Sequence, residues 1–99
     1  MLGEKINEFS QIAEILRILG NPTRLKIISE LIDSDKTVSE LWHLVGISQS
    51  LVSQHLAVLR RSGIIKSVRR GNTVYYSVAN PLVVKILKLT KNKLKQMRD

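Results

Sequence analysis

The sequence predicts a mainly α-helical protein carrying one β-hairpin, an α+β fold in which helices dominate. Three observations predict it. Apolar residues recur at spacings of three and four along most of the chain. One stretch near residues 64–78 is instead β-branched and aromatic around a turn. Gly20, Asn21-Pro22, Gly46, Ser48, Gly63 and Asn80-Pro81 punctuate the pattern as stops and starts. The 99 residues fit one domain, 1–99, small enough that a partner subunit is expected to add stability.

The first helix is expected from Glu4 to Leu19, where Ile6, Phe9, Ile12, Ala13, Leu16 and Leu19 form an apolar stripe. Gly20 ends it and Asn21-Pro22 turns the chain. A second helix follows from about Pro22 to Ile32, with Leu25, Ile28, Leu31 and Ile32 inward, until the polar residues 33–36 break the pattern. Thr37-Val38-Ser39-Glu40 then reads as a capping box, in which the Thr37 hydroxyl accepts from a free amide and Glu40 reaches back. The short third helix runs through Leu41, Leu44 and Val45 and stops at Gly46. Ser48 is the N-cap of a fourth, Gln49 to Ser62, which stops at Gly63. Two helices joined by a tight glycine-containing turn form a helix-turn-helix.

Beyond Gly63, Ile64-Ile65-Lys66-Ser67-Val68-Arg69 and Thr73-Val74-Tyr75-Tyr76-Ser77-Val78 are strand-like, and Arg70-Gly71-Asn72 is the turn between them. Ile65, Val68, Val74 and Tyr76 are expected inward, with one of Tyr75 and Tyr76 facing each way. Asn80-Pro81 then starts a last helix with Leu82, Val83, Ile86, Leu87, Leu94 and Met97 on one face and lysines 85, 88, 91, 93 and 95 on the other. The order is that of a winged helix-turn-helix extended by a helix at each end. Those end helices carry wide apolar faces, which either complete the protomer's own core or pack against a partner subunit.

The charge balance narrows the partners. Sixteen Lys+Arg against eight Asp+Glu give +8, with a pI near 10.2, which favours a polyanion. The chain has no cysteine, which excludes disulfides, thiolate metal sites and thiol redox sensing by the chain itself. MLGEKINEF has no apolar signal-peptide core, and no run approaches the roughly 18 apolar residues of a membrane span. A cytoplasmic protein without a membrane partner is expected. No nucleophile stands beside a base, and there is no phosphate loop or metal constellation, so no enzyme and no cofactor are expected.

On a helical wheel, Val52, Leu56 and Leu59 fall together in the fourth helix, flanked by Leu51, His55 and Val58. Gln49, Ser50, Ser53, Gln54, Ala57, Arg60 and Arg61 face away. Short hydroxyls and amides near the N-terminus, followed by arginines, suit direct readout in the major groove of double-stranded DNA. The amides at the Ser48 cap are free for phosphate. Any solvated helix can carry such a face; the wing decides between the readings. Lys66, Arg69, Arg70 and Asn72 cluster on the hairpin, where they suit the DNA backbone or minor groove.

Four stretches together carry a family resemblance: Asn21-Pro22-Thr23-Arg24-Leu25-Lys26-Ile27-Ile28, then Ser48 through Arg60, then Gly63-Ile64-Ile65, then Arg69 through Ser77. In this order, and over about residues 10–90, the chain closely resembles the ArsR family of bacterial and archaeal repressors. The resemblance implies a dimer of the first and last helices that binds an imperfect palindrome and blocks transcription until a signal releases it. It implies DNA contacts from Gln49, Ser50, Ser53 and Gln54 and from Arg69 and Arg70, with Thr37 and Ser39 at the backbone.

The family usually senses metals, and here the sequence departs. Thr37 and Ser39 stand where one family site has cysteines, and Asn80, Leu82, Lys93 and Gln96 stand where another has Asp, His and an acid. Neither His43 nor His55 has an acid or histidine three or four residues on, whereas a tetrahedral site needs three or four ligands. His55 is expected instead as a buried, hydrogen-bonded residue that steadies its helix. Two other readings remain: a non-specific, architectural DNA-binding protein, and a winged-helix protein-interaction module. The module predicts an unremarkable fourth helix and no basic wing. A membrane-surface reading fails because the last helix has no Trp or Phe on its apolar face.

Overall fold

A computed structural model of the chain describes residues 2–98, with side chains placed for 6–98. Seven elements follow in order: α1 (Leu2–Leu19), α2 (Pro22–Asp33), α3 (Val38–Val45), α4 (Gln49–Arg61), β1 (Ile65–Arg70), β2 (Thr73–Val78) and α5 (Pro81–Arg98). Each expected element is present, and the local chemistry that marked it is made. Asn21 Oδ1 accepts from the amides of Thr23 and Arg24 at 3.0 and 3.1 Å, with Pro22 at the first helical position. At α3 the capping box closes, Glu40 N donating to Thr37 Oγ1 and Thr37 N to Glu40 Oε1, each at 3.1 Å. At α4, Ser48 Oγ accepts from Leu51 N at 3.2 Å.

Several boundaries differ from expectation. The helix α1 begins at Leu2 rather than Glu4. The helix α4 ends at Arg61, and Ser62 is its cap. The first strand starts at Ile65 rather than Ile64 because Ile64 still belongs to that cap. Gly63 has φ +78°, its amide donates to the Arg60 carbonyl at 3.1 Å, and Ile64 N donates to the Leu59 carbonyl at 3.0 Å. This pair of bonds is a Schellman motif. It needs a left-handed residue after the cap, and the side chains it brings together, Ile64 and Leu59, are both buried.

The hairpin is antiparallel, with Ile65 opposite Val78 at its root and Arg70 opposite Thr73 at its tip. Arg70 is therefore a strand residue, and the turn is the two residues Gly71 and Asn72. Gly71 has φ +64° and Asn72 does not share that sign, the pattern of a type II′ turn, whose twist matches the strands. Tyr76 packs against the core while Tyr75 points the other way. Val68 lies three residues from Ile65, so strand alternation puts it on the opposite face, across from Tyr75. The expected inward set is corrected there: Ile65, Val74 and Tyr76 share the inner face, and Val68 helps cover the outer one.

One core draws on every helix and the root of the wing. It contains Ile18 and Leu19 of α1, Ile27, Ile28 and Leu31 of α2, and Leu41 of α3. From the rest of the chain come Val52, Leu56 and Leu59, then Ile64 and Ile65, then Val83 and Leu87. Burying such a side chain stabilises the fold by about 1.5–3 kcal/mol. The wing is also tied by backbone to the loop after α2. Tyr76 N donates to the Lys36 carbonyl at 2.7 Å and Lys36 N to the Tyr76 carbonyl at 3.2 Å. The Lys36 ammonium reaches back to the Glu30 carbonyl at 2.6 Å, which caps the C-terminal end of α2.

The outer helices bury little of their apolar surface within the protomer. On α1, Ile6, Phe9, Ile12 and Leu16 are exposed, Phe9 at 68%. On α5, Val83 and Leu87 reach the core, but Leu82, Leu89, Leu94 and Met97 do not, with Met97 at 74% exposure. An apolar groove of about 210 Å³ runs between α1, α2 and α5, lined by residues such as Leu16, Leu25, Ile86 and Thr90.

Candidate nucleic-acid interface

The helix α4 is seated by Val52, Leu56 and Leu59, each essentially inaccessible, and packs on α2, α3 and β1. That burial fixes which residues it can present. Gln49, Ser50, Ser53, Gln54, Arg60 and Arg61 are all exposed, and Ala57 is partly so. Among the described residues, the side chains of Gln49, Ser50, Ser53 and Gln54 make no hydrogen bond within the chain. Their donors and acceptors are free to pair with something else.

Leu51 departs from the wheel reading. At about 100° per residue it lies at the edge of the buried stripe rather than within it, and it is 45% exposed. With Leu44 and Trp42 of α3, also exposed, it adds apolar surface beside the polar face of α4.

Thr37 and Ser39 lie at the start of α3. The Thr37 hydroxyl oxygen is engaged in the capping box, while Ser39 is exposed and lends its carbonyl to His43 Nδ1 at 2.7 Å. The Ser48 oxygen is likewise engaged as a cap. Both helix starts keep amides near the surface, and the helix dipole favours an anion there.

On the wing the basic residues divide. Lys66, Arg69 and Asn72 are exposed, and none is among the ion pairs of the described residues. Arg70 is held: its guanidinium bonds Asp35 Oδ2 at 2.8 Å and stacks 4.9 Å over the Tyr75 ring. Asp35 thus joins Arg70 to the segment that Lys36 hydrogen-bonds to Tyr76. Sequence reading found all four wing residues but not this anchor, because 35 residues separate the partners.

The imidazole of His55 is half-buried, and Arg24 Nε donates to its Nδ1 at 3.2 Å. The same guanidinium reaches the Ile18 carbonyl at the end of α1 at 3.3 Å. Burial, and then the Arg24 charge, push His55 below its ordinary value, so the neutral form is favoured. His55 was expected to be buried and hydrogen-bonded; it is hydrogen-bonded but only half-buried, and its partner Arg24 carried no local signal.

The positions where the resembling family has metal ligands hold poor donors. Asn80 caps α5, accepting from Leu82 N at 3.0 Å, and Leu82, Lys93 and Gln96 are exposed. Among the described residues no group of three or more His, Cys, Asp or Glu is gathered.

A family profile described as "Bacterial regulatory protein, arsR family" matches residues 21–67, from the α2 cap to the first strand. The nodulation protein NolR of Rhizobium meliloti is 39% identical over 84 residues, covering 85% of this chain and 69% of that protein. The transcriptional repressor PagR of Bacillus anthracis is 40% identical over 78 residues, 78% of each chain. Among solved structures, NolR from Sinorhizobium fredii superposes with a TM-score of 0.83 at 37% identity, covering 90% of this chain and 89% of that one. A homodimeric winged helix-turn-helix DNA-binding domain from Mycobacterium bovis superposes with a TM-score of 0.84 at 24% identity, over 94% and 86% of the two chains, and so shares the fold.

Proposed function

Because the chain belongs to the ArsR family of bacterial regulatory proteins, we propose that it is a homodimeric repressor that reads a palindromic operator with α4 and steadies itself with the wing. It is a DNA-binding transcriptional regulator and not an enzyme. Residues 1–99 act as one winged helix-turn-helix unit. No helix of the described residues is long and apolar enough to cross a membrane.

The observation that carries the proposal is the free polar face of α4 beside a basic wing. Gln49, Ser50, Ser53 and Gln54 enter the major groove. There Gln can pair with the adenine edge and Ser with either partner, and Ala57 leaves room for close approach. Arg60, Lys66, Arg69 and Asn72 meet backbone or minor groove, and Thr37, Ser39 and Ser48 place helix N-termini against phosphate. Arg70 joins them through its anchored guanidinium. The dimer uses the exposed apolar stripes of α1 and α5, which sets two copies of α4 on one face of the DNA. Its signal does not act through a metal at the positions of Thr37 and Ser39 or of Asn80, Leu82, Lys93 and Gln96.

Selection of bound duplexes from a random pool tests this reading. Two inverted half-sites about one helical turn apart, roughly 10 base pairs, are the expected result. Recovery of no motif would instead favour architectural binding, and no retained DNA at all would favour a protein-interaction module.

A further inference from the structure

We infer that Arg24 and His55 are positioning residues for operator reading: one guanidinium joins the recognition helix to the end of the dimer helix, and it does so only while the imidazole is neutral. The inference rests on the reading of the chain as a sequence-specific dimeric regulator, and it assigns that regulator a sensitivity to protons.

The geometry brings three elements to one group. Arg24 sits in the first turn of α2, where a cation opposes the helix dipole, so local helix stability does not favour it there. Its Nη1 donates to the Ile18 carbonyl in the last turn of α1, where a cation is favoured. Its Nε donates to His55 Nδ1 in the middle of α4. One and two residues before His55, Gln54 and Ser53 stand on the outer face of the same helix turn. A change in how α4 is seated at His55 therefore moves the readout side chains relative to α1, and in a dimer relative to the other α4.

The chemistry of the acceptor matters. A carboxylate at position 55 would hold the guanidinium across the whole neutral range. Imidazole accepts at Nδ1 only when unprotonated; a proton there turns an acceptor into a second donor beside a fixed positive charge. Other charged groups on the packed elements do not offset this. On α1, Glu14 pairs with Arg17, and both line the groove against Val58 and Arg61 of α4. On α3, Glu40 closes the capping box and His43 bonds the Ser39 carbonyl; on β1, Lys66 is exposed. Among the described residues no carboxylate bonds either Arg24 or His55. Acidification thus breaks the link from the α4 side and leaves Arg24 on Ile18 alone.

The test uses the full chain carrying H43Q, so that His55 is the titrating histidine, and two further variants in that background. H55N retains an acceptor near the place of Nδ1 but cannot titrate, and H55L retains bulk without an acceptor. Anisotropy gives the ratio of affinities for the selected operator and a scrambled duplex from pH 7.5 to 5.0, so charge effects common to both duplexes cancel. The expected ratio for the parent falls about tenfold, a loss of about 1.4 kcal/mol of discrimination. H55L is low at every pH, and H55N restores most of what H55L loses while abolishing the pH dependence. A flat parent ratio, or an H55L ratio equal to the parent's, overturns the positioning role and leaves the regulator reading intact. If circular dichroism shows H55L unfolded, H55N decides alone: a fall with acid equal to the parent's overturns the role. A parent with no operator preference at pH 7.5 overturns the regulator reading itself.

Discussion

Among the described residues, Gln49, Ser50, Ser53 and Gln54 have no side-chain hydrogen-bond partner, so shortening them costs the fold little and the DNA contact much. Gln49→Ala or Ser53→Ala is expected to weaken operator binding by about 1–3 kcal/mol and leave binding to scrambled duplex unchanged. Equal losses on both duplexes, measured by anisotropy, would remove their readout role. His55 adds a stability effect that needs no DNA. Its folded value lies below the unfolded one, so the unfolded chain takes up the proton first as pH falls. Stability is full above the unfolded value of about 6.5, is lost as pH drops from there through the folded value, and then levels off. Denaturant midpoints at pH 7.5 and 5.5 are expected to show that loss in the parent and a smaller one in H55N. These two residue-scale effects differ in how readable they were. The exposed face of α4 follows from a 100° wheel within one helix. The link from Arg24 to His55 spans 31 residues and needed the packing of α2 on α4 to appear.

At the scale of elements, what the sequence made legible was local chemistry. The capping box at Thr37, the Ser48 cap and the turn at Gly71 each depend on neighbours within four residues, and each formed where expected. The strand boundary at Ile64 was missed because an apolar β-branched residue after a glycine serves a helix cap and a strand start equally well. Its Schellman bond to Leu59 decides between them. The tether from Lys36 to the wing was missed for another reason: residues 33–36 read only as a polar break, and the backbone pairing of Lys36 with Tyr76 depends on tertiary contact. That tether makes the wing arginines unequal. Among the described residues Arg69 is unpaired, and it is exposed, whereas Arg70 is already shared between Asp35 and Tyr75. Arg69→Ala is therefore expected to lower the slope of log affinity against log salt by about one, and Arg70→Ala by less. A salt series on the two variants checks this; a larger change for Arg70→Ala would mean that DNA displaces Asp35.

Across the whole molecule, the protomer is less compact than its length warrants. Its radius of gyration is 15.0 Å, whereas about 13 Å is usual for this many residues. The excess matches helices α1 and α5, whose apolar stripes lie outside the core. Their periodicity was plain in the sequence, but periodicity shows only that a face is apolar and not whether it turns toward its own core or a partner. Phe9→Asp places a charge in that stripe without touching the core. It is expected to leave the fold intact by circular dichroism, to shift sedimentation from dimer to monomer, and to lose most operator affinity. Sedimentation as an unchanged dimer would place the interface elsewhere.

The most direct measurement is a fluorescence anisotropy titration of the chain on its selected operator and on a scrambled duplex, repeated across salt concentrations. A preference of about a thousandfold or more, with one dimer per palindrome, is the expected result. Weak and equally salt-sensitive binding to both duplexes would contradict sequence-specific regulation and leave a basic protein that binds DNA by charge alone.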